Sequence, residues 1–302
     1  FAFVKKFLPY SLSVILVILF AFTKLGKYVG FSLARYIEEA NYGNAETLGY
    51  FLFLAGVTAA ITLFRDRKNQ NSRLVAWFGA GLTFAFAIFL RPNVAVGTLV
   101  FCIFIGVSML RNGRTSELYM WALGVSFVFL MTVHNLTFGD TFVLFTSAAT
   151  ISANLQTPPI IYLEAIIDIV NWKWGTVSQN HILNHLDKWI SPSKTVIFFI
   201  TIFVSFKPQN IPLEVRALAF TALSQQSVLW FYQPNGRWEF LAWLLSVVVV
   251  FWAINQWRGE WIKKQLLTII KSNFIRRYIL RYISISSFLT MNNQKNKNIT
   301  PT

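Results

Sequence analysis

Acidic residues are scarce in this chain, 12 against 27 lysines and arginines, and 302 residues include only three histidines and one cysteine. Each shortage excludes something. A single cysteine, Cys102, rules out an intramolecular disulfide framework and a cysteine-based metal site, and its place in an apolar run gives it a packing role. The histidines offer one pair at helical spacing, His181 and His185, beside Asp187. Ile182 stands where a zinc-protease helix carries its glutamate, so a divalent metal here competes with plain interfacial polar contacts, and no cofactor is assigned. The chain also lacks a P-loop, a dinucleotide fingerprint, a His-Glu-x-x-His helix, a nucleophile elbow and any internal repeat of fixed period.

Apolar residues fill the space these absences leave: 55% of the chain is hydrophobic, 17% aromatic, and the mean hydropathy is +0.51. Eight apolar runs are separated by hydrophilic segments, near Leu8 to Thr23, Leu48 to Phe64, Val75 to Leu90, Val94 to Leu110, Leu118 to Val133, Thr195 to Phe206, Ala217 to Tyr232 and Phe240 to Ile254. Several fall short of the roughly 20 residues that cross a hydrocarbon core, so flanking aromatic or polar residues must complete them. The expected fold class is therefore all-α, a polytopic membrane bundle of about eight transmembrane helices with a large extracytoplasmic loop carrying surface helices. The bundle with its loop 134–193 occupies residues 1–256, and a basic amphipathic cytoplasmic helix and disordered tail occupy 257–302.

Charge fixes the expected orientation, because cytoplasmic loops retain Lys and Arg. With the N-terminus inside, Lys5, Lys6, Arg65, Arg67, Lys68, Arg73, Arg111, Arg114, Lys207, Arg216 and nine basic residues after Trp257 are cytoplasmic, nineteen of the 27. The acids lean the other way: Glu38, Glu39, Glu46, Asp140, Glu164, Asp168, Asp187 and Glu239 fall outside, and Asp66, Glu117, Glu214 and Glu260 inside. The net charge of +15 thus has anionic lipid headgroups as its nearest counter-charge, and nucleic acid is not an expected partner. Carboxylate chemistry, if any, belongs to the outer face. The chain begins with Phe1 and shows no small-residue cleavage site after its first span, which reads as a fragment of something longer.

Most connections are tight. Arg91-Pro92-Asn93 is expected to turn outside and Arg111-Asn112-Gly113-Arg114 inside. Two outer segments are long. Lys24 to Glu46 spaces Leu25, Val29, Leu33, Tyr36 and Ile37 as an interfacial helix would. About sixty residues from His134 to Ser193 form the second, with surface helices expected over Ile160 to Val170 and His181 to Trp189, entered through Pro158-Pro159. After Trp257, Leu266, Leu267, Ile269, Ile270, Ile275 and Ile279 alternate with Lys and Arg as on a helix lying against the inner leaflet, and the last dozen residues have a disordered composition.

Arg91 and Arg237 both close outer ends of spans. Each is either a snorkelling anchor or a bidentate fork for a lipid-linked phosphate. Asp140, Glu164, Asp168, Glu38 and Glu39 are solvated carboxylates of which one could accept a proton from an acceptor hydroxyl. Asn135-Leu136-Thr137 is also a glycosylation sequon.

The order of these features resembles the C-terminal two thirds of GT-C-type membrane glycosyltransferases. The resemblance is carried by Leu90-Arg91-Pro92-Asn93, by His134-Asn135-Leu136-Thr137-Phe138-Gly139-Asp140 and the Pro-Pro loop up to Tyr162, and by Gly236-Arg237-Trp238 at the last span. The loop is similar to loops of bacterial members thought to build cell-surface polysaccharide. What the resemblance implies is a polyprenyl-phosphate-linked sugar donor, a glycan or lipid acceptor, and a cavity at the outer surface of a bacterial inner membrane. In this chain Arg91, His134, Asn135 and Arg237 would bind substrate, and Asp140, Glu164 or Glu39 would be the catalytic carboxylate. The family's catalytic Asp belongs to its first outer loop, and Lys24 to Glu46 contains no Asp. A polysaccharide polymerase or ligase would lean more on outer Arg and His residues. A flippase or transporter would place polar groups near span centres, as Ser224-Gln225-Gln226-Ser227 does.

Overall fold

The computed structural model describes residues 1–22, 45–66, 70–139, 167–168, 170–173, 192–207, 211–229 and 236–271. Over these residues the chain is helical and has no strand. Its helices are α1 (Tyr10–Phe22), α2 (Ala45–Arg65), α3 (Gln70–Leu90), α4 (Ala95–Arg111), α5 (Thr115–Ser126), α6 (Leu130–Gly139), α7 (Pro192–Phe206), α8 (Leu213–Leu229) and α9 (Gly236–Lys271). Five stretches are long and apolar enough to cross a membrane: Thr47–Arg65, Arg73–Leu90, Pro92–Arg111, Thr115–Gly139 and Phe240–Gly259. Tyr10–Ala21 and Lys194–Phe206 are apolar but shorter. The chain divides into two units, Phe1–Trp252 and Ala253–Thr302.

In the first unit the sides of the bundle are apolar. On α4, Val96, Leu99, Ile103, Val107 and Leu110 are exposed at helical spacing, while Phe101, Ile105 and Met109 on the opposite face are buried. This is the pattern of a helix with one face for its neighbours and one for hydrocarbon. Helix α9 differs, since Leu241, Ala242, Trp243, Leu245, Val247, Val248 and Val249 are all buried. It meets α1 through Phe20 and Phe240, α7 through Lys194 over the Trp243 ring, and α8 through a Gln226–Ser246 hydrogen bond of 2.8 Å.

Helices α3 and α5 run parallel with their backbones in contact. A Cβ on Gly81 would stand 2.4 Å from the Trp121 carbonyl oxygen, and one on Gly124 2.3 Å from that of Phe78. The same register pairs Trp77 with Trp121, ring centroids 5.3 Å apart, and Arg73 with Glu117. From Trp121 the aromatic contacts continue through Phe84 to Phe53 of α2 and Phe101 of α4.

At the Arg73 end, the last carbonyls of α2 would lack partners within their own helix. Arg73 Nη2 donates to the Leu63 carbonyl at 3.0 Å, and Arg114 to those of Phe64 and Leu63 at 3.0 and 3.2 Å. Both guanidinium groups also bond Glu117 Oε2, Arg73 at 3.3 Å and Arg114 through two nitrogens. Arg65 donates to Glu214 at 2.9 Å and to the Lys6 carbonyl. Lys6, Arg65, Arg73, Arg114 and Glu214 therefore gather at one end of the bundle, and the Arg91 turn lies at the other end of α3.

Two expectations need correction. His134 does not open a loop: α5, a 3-10 turn over Phe127–Phe129 and α6 carry helical structure from Thr115 to Gly139. Neither Gly nor Pro interrupts 125–138, and the Thr137 hydroxyl bonds the Val133 carbonyl, so polar side chains there do not stop the helix. Nor does the last apolar run end at Ile254 before a separate surface helix. Helix α9 continues for 36 residues to Lys271. The exposed Ile254, Trp257 and Arg258 belong to that one helix.

Candidate functional site

The residues that sequence singled out meet most fully around Arg91. Helix α3 stops at Leu90 because Pro92 disfavours helix at the residue before it, and Arg91 is extended, with φ −147° and ψ 89°. Pro92–Val94 form a 3-10 turn, closed by the fully buried Val94, and α4 follows. The turn is held from two sides. The Arg91 stem lies on Gly49 of α2, where a Cβ would fall 2.8 Å from Arg91 Cγ. Asn93 Nδ2 makes a long 3.4 Å contact with the hydroxyl of buried Tyr50.

From the other side Gln225 of α8 donates to the Asn93 carbonyl at 3.2 Å. Its side chain fits only because residue 97 is glycine: a Cβ there would stand 2.4 Å from Gln225 Nε2. Two glycines thus seat two long polar side chains against one turn. Asn93 Oδ1 and Thr98 Oγ1 are buried there with no hydrogen-bond partner. Unsatisfied buried acceptors are costly, about 1–3 kcal/mol each, and are the groups a hydroxyl-bearing ligand or water would satisfy. Arg91 adds a cationic side chain to the same turn as these acceptors.

The other expected residues are placed less closely. His134 is exposed on α6 with its ring 5.0 Å from Phe138, one turn on, and Asn135 is half-buried beside it. Arg237 lies in the first turn of α9, and its side chain is outside the described residues, as are Asp140, Glu164, Glu39, Glu38, His181, His185 and Asp187. Asp168 is described. It lies at the end of a helical turn, where the Lys173 amide returns to the Asp168 carbonyl at 2.7 Å and Trp172 takes φ +57°. Trp172 there takes the left-handed position that Gly usually fills, and Ile160 to 166 of the expected surface helix lie outside the described residues. Among the described residues no three His, Cys, Asp or Glu side chains group closely enough to hold a metal.

Sequence reasoning missed Tyr50, Gly49, Gly97 and Thr98. Gln225 was marked only for its polarity within an apolar span; its partner lies 132 residues away. Comparison with known families, curated proteins and solved structures finds no match to this chain.

Proposed function

We propose that this chain is a membrane glycosyltransferase using a polyprenyl-phosphate-linked sugar at the extracytoplasmic face of a bacterial inner membrane. In this reading it crosses the bilayer eight times with both termini cytoplasmic. The shorter α1, α7 and α8 then complete their spans with flanking residues, and the segment from Asp140 to 193 lies outside with Arg91 and Arg237. The observation that carries it is the Arg91-Pro92-Asn93 turn, fixed between α2 and α8 at one end of the bundle and holding a cation beside two unsatisfied acceptors. Arg91 would fork the donor phosphate, Asn93 and Thr98 would take hydroxyl hydrogens, and Asp140, Glu164 or Glu39 would remove the acceptor's proton.

Arg91→Lys keeps the charge and loses the fork. In membranes supplied with a radiolabelled polyprenyl-phosphate sugar, it should raise the donor KM about tenfold, the cost of one charge-assisted bond, with little loss of kcat. Asp140→Asn should lower turnover about 100-fold if Asp140 is the base. Wild-type rates in the Arg91 variant would remove it from the donor site.

A second reading, transport of a lipid-linked glycan, is favoured by a different observation. Gln226 and Ser246 bond within the buried α8–α9 contact, and Gln226 Oε1 has no partner. Polar groups deep in a bundle are what a translocation path requires. A chain that transfers no sugar from any polyprenyl donor but moves labelled lipid-linked glycan across vesicles supports this reading against the first.

A further inference from the structure

The helices of the first unit pack in two groups. Helix α3 packs on α2 and α5, while α8 packs on α4 and α7. The chain passes between the groups at two tight turns, Pro92–Val94 before α4 and Arg111 to Arg114 after it. The second turn is fastened to α2, since Arg114 donates to the Phe64 and Leu63 carbonyls at 3.0 and 3.2 Å. Between the turns, Phe101 of α4 lies on Phe84 of α3, ring centroids 5.9 Å apart. Helix α4 is thus tied to the first group at both ends and along its length, and it is the line about which α8 can turn relative to α2.

One ion pair lies off that line and joins α2 to α8 directly. Arg65, the last residue of α2, donates through Nε to Glu214 Oε1 at 2.9 Å and through Nη1 to the Lys6 carbonyl at 2.9 Å. Glu214 stands in the first turn of α8, where the helix dipole favours a carboxylate. Neither glycine nor proline interrupts α8 between Glu214 and Gln225, so a displacement at one end is carried to the other. Gln225 is the α8 side of the grip on the Arg91 turn, and Gly49 and Tyr50 of α2 are the other side. The two helices that grip the turn at one end of the bundle are therefore bound to each other, at the opposite end, by Arg65 and Glu214.

We propose that Arg65 and Glu214 are positioning residues for the Arg91 turn: their ion pair latches α8 to α2 and keeps the turn gripped from both sides. With the pair broken, α8 turns about α4 and the gap between Gln225 and Tyr50 widens. The latch is suited to reversible release, because the Arg65 side chain is 46% exposed and salt weakens an ion pair that is open to water. It rests on the glycosyl-transfer reading only for what the turn binds.

The test uses the full chain in bilayer discs, on a Cys102→Ser background, with spin labels attached at Leu48→Cys and Ser227→Cys. Both positions are exposed, and each lies two residues from one side of the grip. Distances between the labels, measured by electron paramagnetic resonance, should form a narrow distribution at low salt. The distribution should become about twofold broader at about 1 M salt, where charges are screened beyond roughly 3 Å. Glu214→Gln should give the broad distribution at both salt concentrations, and in the transfer assay at low salt it should raise the donor KM several-fold with kcat near wild type. A narrow distribution in Glu214→Gln, or a salt response that this variant retains, overturns the proposal. A chain whose distances respond as described but which transfers no sugar keeps the latch and loses the glycosyl-transfer reading.

Discussion

At the scale of single residues, four glycines do what no other side chain could do. Gly81 and Gly124 let two backbones touch, and Gly49 and Gly97 seat Arg91 and Gln225. In lipid there is no hydrophobic drive between helices, so close packing carries much of the association. Gly124→Val should therefore force α3 and α5 apart and cost on the order of 3 kcal/mol, read as a lower thermal midpoint in detergent. A midpoint within error of wild type would show that the crossing relaxes freely. These roles were not legible in the sequence. Gly79 sits in the same Gly-Ala-Gly run as Gly81 and yet meets nothing, because which glycine faces a neighbour depends on a pairing that adjacent residues do not encode.

At the scale of elements, the apolar runs and tight turns could be read directly. Pro92 and Gly113 mark the two ends of α4, and stretches of eighteen or more residues of high mean hydropathy specify α2, α3, α4 and the run from α5 through α6 whatever they pack on. The errors came where composition changed without a residue that ends helical structure. His134 and Asn135 were expected to open a loop because they are polar, and the basic stretch after Trp257 was expected to be a new helix because its partner changes. Neither place contains a residue that breaks hydrogen bonding from one turn to the next. Proline at 255 tests the second point. In an unbroken α9 it removes one backbone bond and clashes with the preceding turn, so Asn255→Pro should lower helical ellipticity and stability by about 3 kcal/mol. If the chain were already broken between Ile254 and Trp257, the change would be nearly silent. The site divides in the same manner: Arg91 beside a proline is visible in sequence, but Tyr50 and Gln225 lie 43 and 132 residues from Asn93 and become its neighbours only through the packing of α2 and α8.

At the scale of the whole molecule, Lys6, Arg65, Arg73 and Arg114 gather at one end of the bundle and the Arg91 turn lies at the other end of α3, and this gathering of basic residues gives the expected orientation its test. On a Cys102→Ser background, a cysteine at Ser178 should react with a membrane-impermeant maleimide in intact cells, and one at Asn71 only after permeabilisation. The reverse pattern would invert the bundle and move the Arg91 turn to the cytoplasm. The parallel pairing of α3 and α5 also constrains the order of assembly. Arg73 leaves the ribosome 44 residues ahead of Glu117, the carboxylate it needs. Until Arg114 and α5 arrive, an inserted α2–α3 hairpin would hold the Arg73 guanidinium without its carboxylate and the Phe64 carbonyl without its donor, groups that can stay only where water reaches them. Water must therefore keep reaching that end of the hairpin until Glu117 is made.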